Sequence, residues 1–229
     1  MAVSDPVTGF YGKITSHGDF VSRRMPADFV SVWDHWLQTV LHGSRAQLGE
    51  RWLATYLNSP IWRFALAPGV CDDKTWAGIV MPSIDRVGRH FPLTIAAGVT
   101  GQVPLLDWLD RSAGWYAELE TLALSTLDAG ADFVQFDAAV QAMVAPAFLA
   151  SEPAAALHMP ITSVDALPLV LPALAHTLAN AALAGQGVWW TDGSTEVVPS
   201  LHVWRGLPSI PTFSGMLDGN WGELITLIP

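Results

Sequence analysis

Apolar residues recur along this chain with two different periods. Over residues 27–42, Phe29, Val30, Trp33, Trp36, Leu37, Val40 and Leu41 fall three or four apart, the spacing of one face of an amphipathic helix. Pro26 suits the first helical position and Gly43 the stop. Ser44, with Gln47 three residues on, has the form of a capping box for a second helix. Its predicted buried stripe is Leu48, Trp52, Leu53, Tyr56 and Leu57, and Asn58-Ser59-Pro60 closes it. Runs at 61–67, 76–81 and 91–97 have the length and apolarity of strands, the last two uncharged and so buried on both faces. The links between these three are too short for helical crossovers, so an antiparallel meander is expected. Residues 7–14 predict a further strand, followed by turn chemistry at Thr15–Asp19 and a lead-in over Phe20–Arg24.

The second half is helical first. Periodicity predicts a short helix at 104–111 and a longer one at 112–129, with Trp115, Leu119, Leu122, Ala123 and Leu127 as core. Another is expected at 137–144, begun by Asp137 as cap. Residues 145–167 fit no element. A helix at 169–184, ended by Gly185, leads to a hairpin of strands 188–191 and 201–204 turned by Asp192-Gly193. A loop and a short helix follow at 208–217. Strands near both ends, with helices between, predict one shared sheet covered on both faces. The fold class expected is α/β, a single three-layer α/β/α sandwich with a largely antiparallel sheet. The organisation expected is one domain over 1–229, made of a part at 7–100, a helical middle at 101–186 and a C-terminal hairpin part at 187–229.

Composition narrows the function classes. Residues 1–90 hold nine Lys or Arg against eight acids, whereas 91–229 hold two against thirteen. So acidic a second half does not favour nucleic acid or an anionic membrane. With Cys71 as the sole cysteine there is no intrachain disulfide and no multi-cysteine metal site. No signal peptide opens the chain, and a cytoplasmic location is expected. The longest charge-free stretch, 166–191, is long enough to span a bilayer. Pro168, Pro172, His176, Asn180 and Gln186 interrupt it, and no Lys or Arg flanks it, so it reads as a buried helix followed by a strand.

The most chemically dense stretch lies between the two uncharged runs. Residues 83–90 bring Asp85, Arg86, Arg89 and His90 into one loop between core strands. Ser16-His17-Gly18-Asp19 has the residue types of a catalytic triad, but sequence neighbours point in different directions, and no Gly-x-Ser-x-Gly elbow is present. His17, Asp72, Asp73, Asp85 and His90 lack metal-ligand spacing, and no phosphate-loop or dinucleotide motif occurs. No metal or cofactor is therefore expected. Arg23, Arg24, Arg86 and Arg89 either form a cluster that recognises an anion or pair internally with Asp19, Asp34 and Asp85. Trp33, Trp36, Trp62, Trp189 and Trp190, at helical or strand spacing, are expected in the core. The candidate partner-binding or structural residues are thus Asp19, Arg23, Arg24, Asp85, Arg86 and Arg89, with salt bridges from the Asp85/Arg86/Arg89 corner to the Gly18-Asp19 turn.

The segments GFYGKITSHGDFVSRRMPADFV, WDHWLQ, SRAQLGERWLATYLNSPIWRFALAPGVC and WAGIVMPSIDRVGRHFPLTIAA together resemble the TagF (ImpM) family of type VI secretion accessory proteins. The resemblance runs from Gly9 to about Ala97 and returns more weakly at WWTDGS and RGLPSIPTF. It implies a longin-like fold. It also implies a non-enzymatic regulator that represses secretion after translation through a forkhead-associated scaffold protein. It carries over no catalytic residue. Alternatives from other classes are a cryptic hydrolase or phosphate-ligand enzyme using Asp19, Asp85, His17 and Arg89, and a structural subunit of the secretion apparatus.

Overall fold

A computed structural model describes residues 7–100, 103–146, 159–160 and 163–222. In chain order the strands are β1 (Thr8–Gly12), β2 (Val21–Arg23), β3 (Trp62–Leu66), β4 (Lys74–Met81), β5 (Leu93–Thr100), β6 (Gln186–Thr191) and β7 (Ser200–Arg205). The helices are α1 (Ala27–Leu48), α2 (Trp52–Asn58), α3 (Leu105–Arg111), α4 (Ala113–Ser125), α5 (Phe133–Ala142), α6 (Leu167–Ala182) and α7 (Ile210–Asp218). All seven strands join one sheet in the order β2-β1-β5-β4-β3-β6-β7, every pairing antiparallel. The meander read from the sequence is β3-β4-β5, and the second hairpin is β6-β7. Strand β2 has no counterpart in the sequence pattern; it is three residues long and pairs with the end of β1.

Strand alternation divides the core by shape. Ala65, Ala77, Ile79, Leu93, Ile95 and Ala97 face one side of the sheet, where α3, α4 and α5 pack. Trp62, Phe64, Leu66, Trp76, Val80 and Trp189 face the other, against α1, α2 and α7. The result is a three-layer α/β/α sandwich with a mostly aliphatic sheet face and an aromatic one.

The aromatic layer is wide because the strands beneath it are partly bare. Gly78, Ala96 and Gly98 occupy that face of the two central strands. A Cβ on Gly98 would lie 2.8 Å from the Trp76 ring, and one on Gly78 2.2 Å from the Ile95 carbonyl. Into this space α1 sends Phe29, 3.9 Å from Trp76 between ring centres, and Trp33, 4.8 Å from Phe64. Trp33 Nε1 donates to Thr94 Oγ1 at 2.8 Å, Trp36 Nε1 to the Pro208 carbonyl at 2.8 Å and Trp62 Nε1 to the Met216 carbonyl at 3.0 Å. The tryptophans expected in the core are buried there, apart from half-buried Trp190.

Several local expectations are corrected. Gly43 does not end the first helix, because α1 continues to Leu48 and the left-handed Gly49 stops it. Gly43 is where α7 approaches, a Cβ there falling 2.5 Å from the Ile210 side chain. Ser44 is therefore inside a helix, its hydroxyl accepting from Trp52 Nε1 at 2.9 Å. Leu53 and Leu57 of α2 are exposed, and so is Leu127, which lies past the end of α4 at Ser125 rather than inside the helix expected to 129. The fifth helix starts at Phe133, capped by Asp132 rather than Asp137. Helix α6 is not buried; no side chain described on it is. Among the described residues, no helix is long and apolar enough to cross a membrane.

Gly78→Ala should destabilise the chain by about 1–3 kcal/mol, the usual cost of overpacking against rigid neighbours. Urea unfolding followed by tryptophan fluorescence would measure it.

Candidate functional site

Strand β1 ends at Gly12, and the next residue, Lys13, turns inward with only 6% of its side chain exposed. The loop between β4 and β5 hangs over Lys13. Asp85, at the centre of that loop, has a fully buried side chain. One of its oxygens takes Lys13 Nζ at 2.8 Å and Arg89 Nε at 2.7 Å. The other accepts the backbone amides of Val87 at 3.0 Å and Arg89 at 2.9 Å. Burial by itself would push the Asp85 carboxyl up. The Lys13 ammonium, the Arg89 amide and guanidinium and the Val87 amide outweigh it and hold the group well below the usual carboxylate range.

The same loop is tied to three other elements. Tyr56 of α2 donates to the Ser83 carbonyl at 2.9 Å and accepts the Ser83 amide at 3.0 Å. Ser83 Oγ donates to the Lys13 carbonyl at 2.8 Å. The Arg86 amide donates to the His17 carbonyl at 2.9 Å, and the Arg89 guanidinium donates to the Gly18 carbonyl. The loop turns at Gly88, whose φ of 84° needs no Cβ. His90 packs edge-on to Trp52 and Tyr56. Burial first, then the Arg45 charge, lowers its pKa from the ordinary imidazole value.

Of the residues singled out from sequence, the fold thus brings Asp85, Arg86 and Arg89 to the Gly18-Asp19 turn. The link runs through backbone carbonyls, not through salt bridges to Asp19. The Asp19 carboxylate instead accepts the adjacent Phe20 amide at 2.8 Å. Arg23 and Arg24 do not join the corner. They lie further back along β1, Arg23 opposite Phe10 and Arg24 at Thr8, about 10–16 Å from Lys13 for three to five residues of strand. There Asp137 of α5 takes Arg24 at 2.7 Å and Arg23 at 3.6 Å. Arg24 also donates to the Thr8 carbonyl at 3.0 Å from a left-handed backbone, φ 57°. Asp34 bonds Tyr11 and Gln38 rather than any arginine. Sequence reasoning missed Lys13 as the partner of Asp85; its signal was a lone cation directly after a strand too apolar to expose it.

The triad-like tetrapeptide does not assemble. Ser16 Oγ lies 3.1 Å from His17 Nδ1, but the His17 ring rests on Phe133 at 4.4 Å, and Asp19 points elsewhere. Beside it, a cavity of about 530 Å³ is lined by Ser16, Thr126, Asp128, Asp132, Phe133 and Gln135. Among the described residues, no three His, Cys, Asp or Glu side chains converge to hold a metal. Asp72 accepts the Lys74 amide and Trp76 Nε1, each at 2.8 Å, and so closes the β3–β4 connection.

What the corner leaves in solvent is Asp19, Phe20, Arg86, Val87 and part of Arg89. Val87 is 66% exposed and Phe20 42%. Arg86 forms no ion pair among the described residues.

Comparison with known proteins places these residues in context. The TagF N-terminal domain, type VI secretion system-associated, matches residues 9–143, which include Lys13 and the whole 83–90 loop. A solved structure, that of PA0076 from Pseudomonas aeruginosa PAO1, is 40% identical with a TM-score of 0.84. The match covers 97% of this chain and 98% of that one. No curated protein matches.

The sign of the acid response follows from the two lowered groups. The Asp85 contribution to stability is complete above its ordinary value of 3.8 and is lost as pH falls below it toward the lowered folded value. The His90 contribution is complete above 6.5 and declines as pH falls through it, because the unfolded imidazole takes up the proton first. The urea midpoint should therefore fall from about pH 6.5 downward and more steeply below about pH 4. In Asp85→Asn the midpoint should be lower at pH 7 and the steep acid limb flatter. An unchanged acid limb would remove Asp85 as its source.

Proposed function

Because the chain belongs to the TagF family of type VI secretion system-associated proteins, we propose that it is a cytoplasmic, non-enzymatic regulator that restrains secretion by binding another protein of the system. The partner that fits the family resemblance is the forkhead-associated scaffold. The contact face on this reading is the solvent side of the Asp85 corner. The observation that carries it is the pairing of a rigid loop with unused binding groups. Asp85 pins the loop backbone from inside, and Arg86 and Val87 are exposed outside it, beside a partly exposed Phe20 ring that packs on Tyr11 and Phe91. A loop backbone that is already fixed loses little freedom on binding, and arginines are frequent centres of binding energy.

The hydrolase alternative has no comparable support. A general base needs an oxygen aimed at substrate, whereas both Asp85 oxygens are already engaged by internal donors. Arg89 is held by the same carboxylate. Nothing specific favours a structural subunit over a regulator.

Binding of the purified forkhead-associated scaffold, measured by calorimetry, tests the reading. Arg86→Ala combined with Val87→Asp should weaken binding by about 10-fold or more, the loss of one binding hot spot. The circular dichroism and urea midpoint should stay unchanged. In cells, deletion of the gene should raise effector secretion at constant component levels, and the double variant should fail to restore repression. No binding by the wild-type chain would overturn the proposal.

A further inference from the structure

The Asp85 corner holds one guanidinium group that has no acceptor. Among the described residues, the Arg86 side chain makes neither an ion pair nor a hydrogen bond. Its backbone is fixed, since the Arg86 amide donates to the His17 carbonyl at 2.9 Å. Its head lies over Gly18. A Cβ built on Gly18 would stand 3.6 Å from Arg86 Nη2 and 4.0 Å from Nε, and, chain neighbours aside, no other described atom lies within 4 Å of that point. Nε and Nη2 carry two parallel N–H donors at the spacing of a carboxylate's oxygens. The φ of Gly18 lies outside the left-handed range, so the backbone there does not require a glycine; what the glycine supplies is room. Its carbonyl accepts from the Arg89 guanidinium, whose Nε is held by Asp85. Two guanidinium groups thus meet at one residue without a side chain. Asp19, next in the chain, does not fill the space. Its carboxylate accepts the Phe20 amide at 2.8 Å and makes no ion pair with Arg86.

We propose that the space over Gly18 is a carboxylate site, filled by an aspartate or glutamate side chain of the protein that binds this corner. Charge selects the ion. Lys13, Arg86 and Arg89 stand against Asp85 and Asp19, three cations to two acids, which leaves one positive charge for one carboxylate. A phosphate near its dianionic form would overfill it. Geometry selects the mode. Arg86 supplies the paired N–H bonds, which fix direction as well as energy. Arg89, anchored on Asp85, supplies positive charge that does not move. The inference deepens the regulatory reading and rests on it only for the identity of the molecule that carries the carboxylate.

The site and its user are tested separately. In heteronuclear NMR spectra of the full chain, sodium acetate replacing sodium chloride up to about 100 mM, at constant ionic strength, should shift the Gly18 amide and the Arg86 Nε–H together along one binding curve. Inorganic phosphate should shift them less. The response should vanish in Arg86→Gln. It should weaken in Gly18→Ala, whose added methyl occupies the space at an ordinary contact distance and leaves the urea midpoint unchanged. No shift, a shift that survives Arg86→Gln, or a stronger response to phosphate overturns the carboxylate site. Against the purified forkhead-associated scaffold, Arg86→Gln should weaken binding by about 10-fold or more, the loss of a charge-assisted hydrogen-bond pair. Gly18→Ala should weaken it in the same direction. A scaffold that binds the wild type and both variants alike overturns the proposal while the regulatory reading stands. A scaffold that does not bind the wild type overturns that reading, and the acetate titration then decides the site alone.

Discussion

The contact between Lys13 and Asp85 holds together parts of the molecule that lie far apart in sequence. A buried carboxylate is costly unless its charge is met and its lone pairs are filled. Asp85 meets that condition only with Lys13 from the end of β1, the Arg89 side chain and two amides of its own loop all in place. Satisfying one side chain therefore fixes the end of an outer strand, the connection between two central strands and, through Ser83, the Tyr56 end of α2. The exposed face of the loop is as rigid as the pair beneath it.

The second constraint is spatial. Three helices and much of the aromatic content must fit on one side of a sheet whose strands are about 4.8 Å apart. The sheet accommodates them by having almost no side chains of its own at Gly78, Ala96 and Gly98. The rings of Phe29, Trp33 and Trp76 fill that space, and the indole nitrogens of α1 and β3 reach Thr94 and the carbonyls at either end of α7. The opposite face, lined mostly by aliphatic side chains, carries α3, α4 and α5, and α6 packs on α3.

Where the sequence misleads, the cause is usually a residue type with two physical uses. Gly43 reads as a helix stop but serves close packing against Ile210. Asp137 reads as a cap but receives two arginines from a strand over a hundred residues earlier. The charge-free stretch at 166–191 reads as a buried helix, but α6 is exposed, since apolar composition does not fix where a helix docks.

The sequence by itself determined the meander, the terminal hairpin, the aromatic face of α1, the loop at 83–90 as the densest chemistry and, through motifs within 9–97, the family. These rest on periodicity, turn residues and local spacing, all of which act over a few residues. Only the tertiary structure decided that Lys13 is the partner of Asp85, that Arg23 and Arg24 belong to Asp137 instead, and that the 83–90 loop grips backbone carbonyls of the Gly18-Asp19 turn rather than its carboxylate. Which cation meets which anion depends on where strands end in space. That follows from the register of β1 against β5 and of β4 against β5, and no local pattern encodes it.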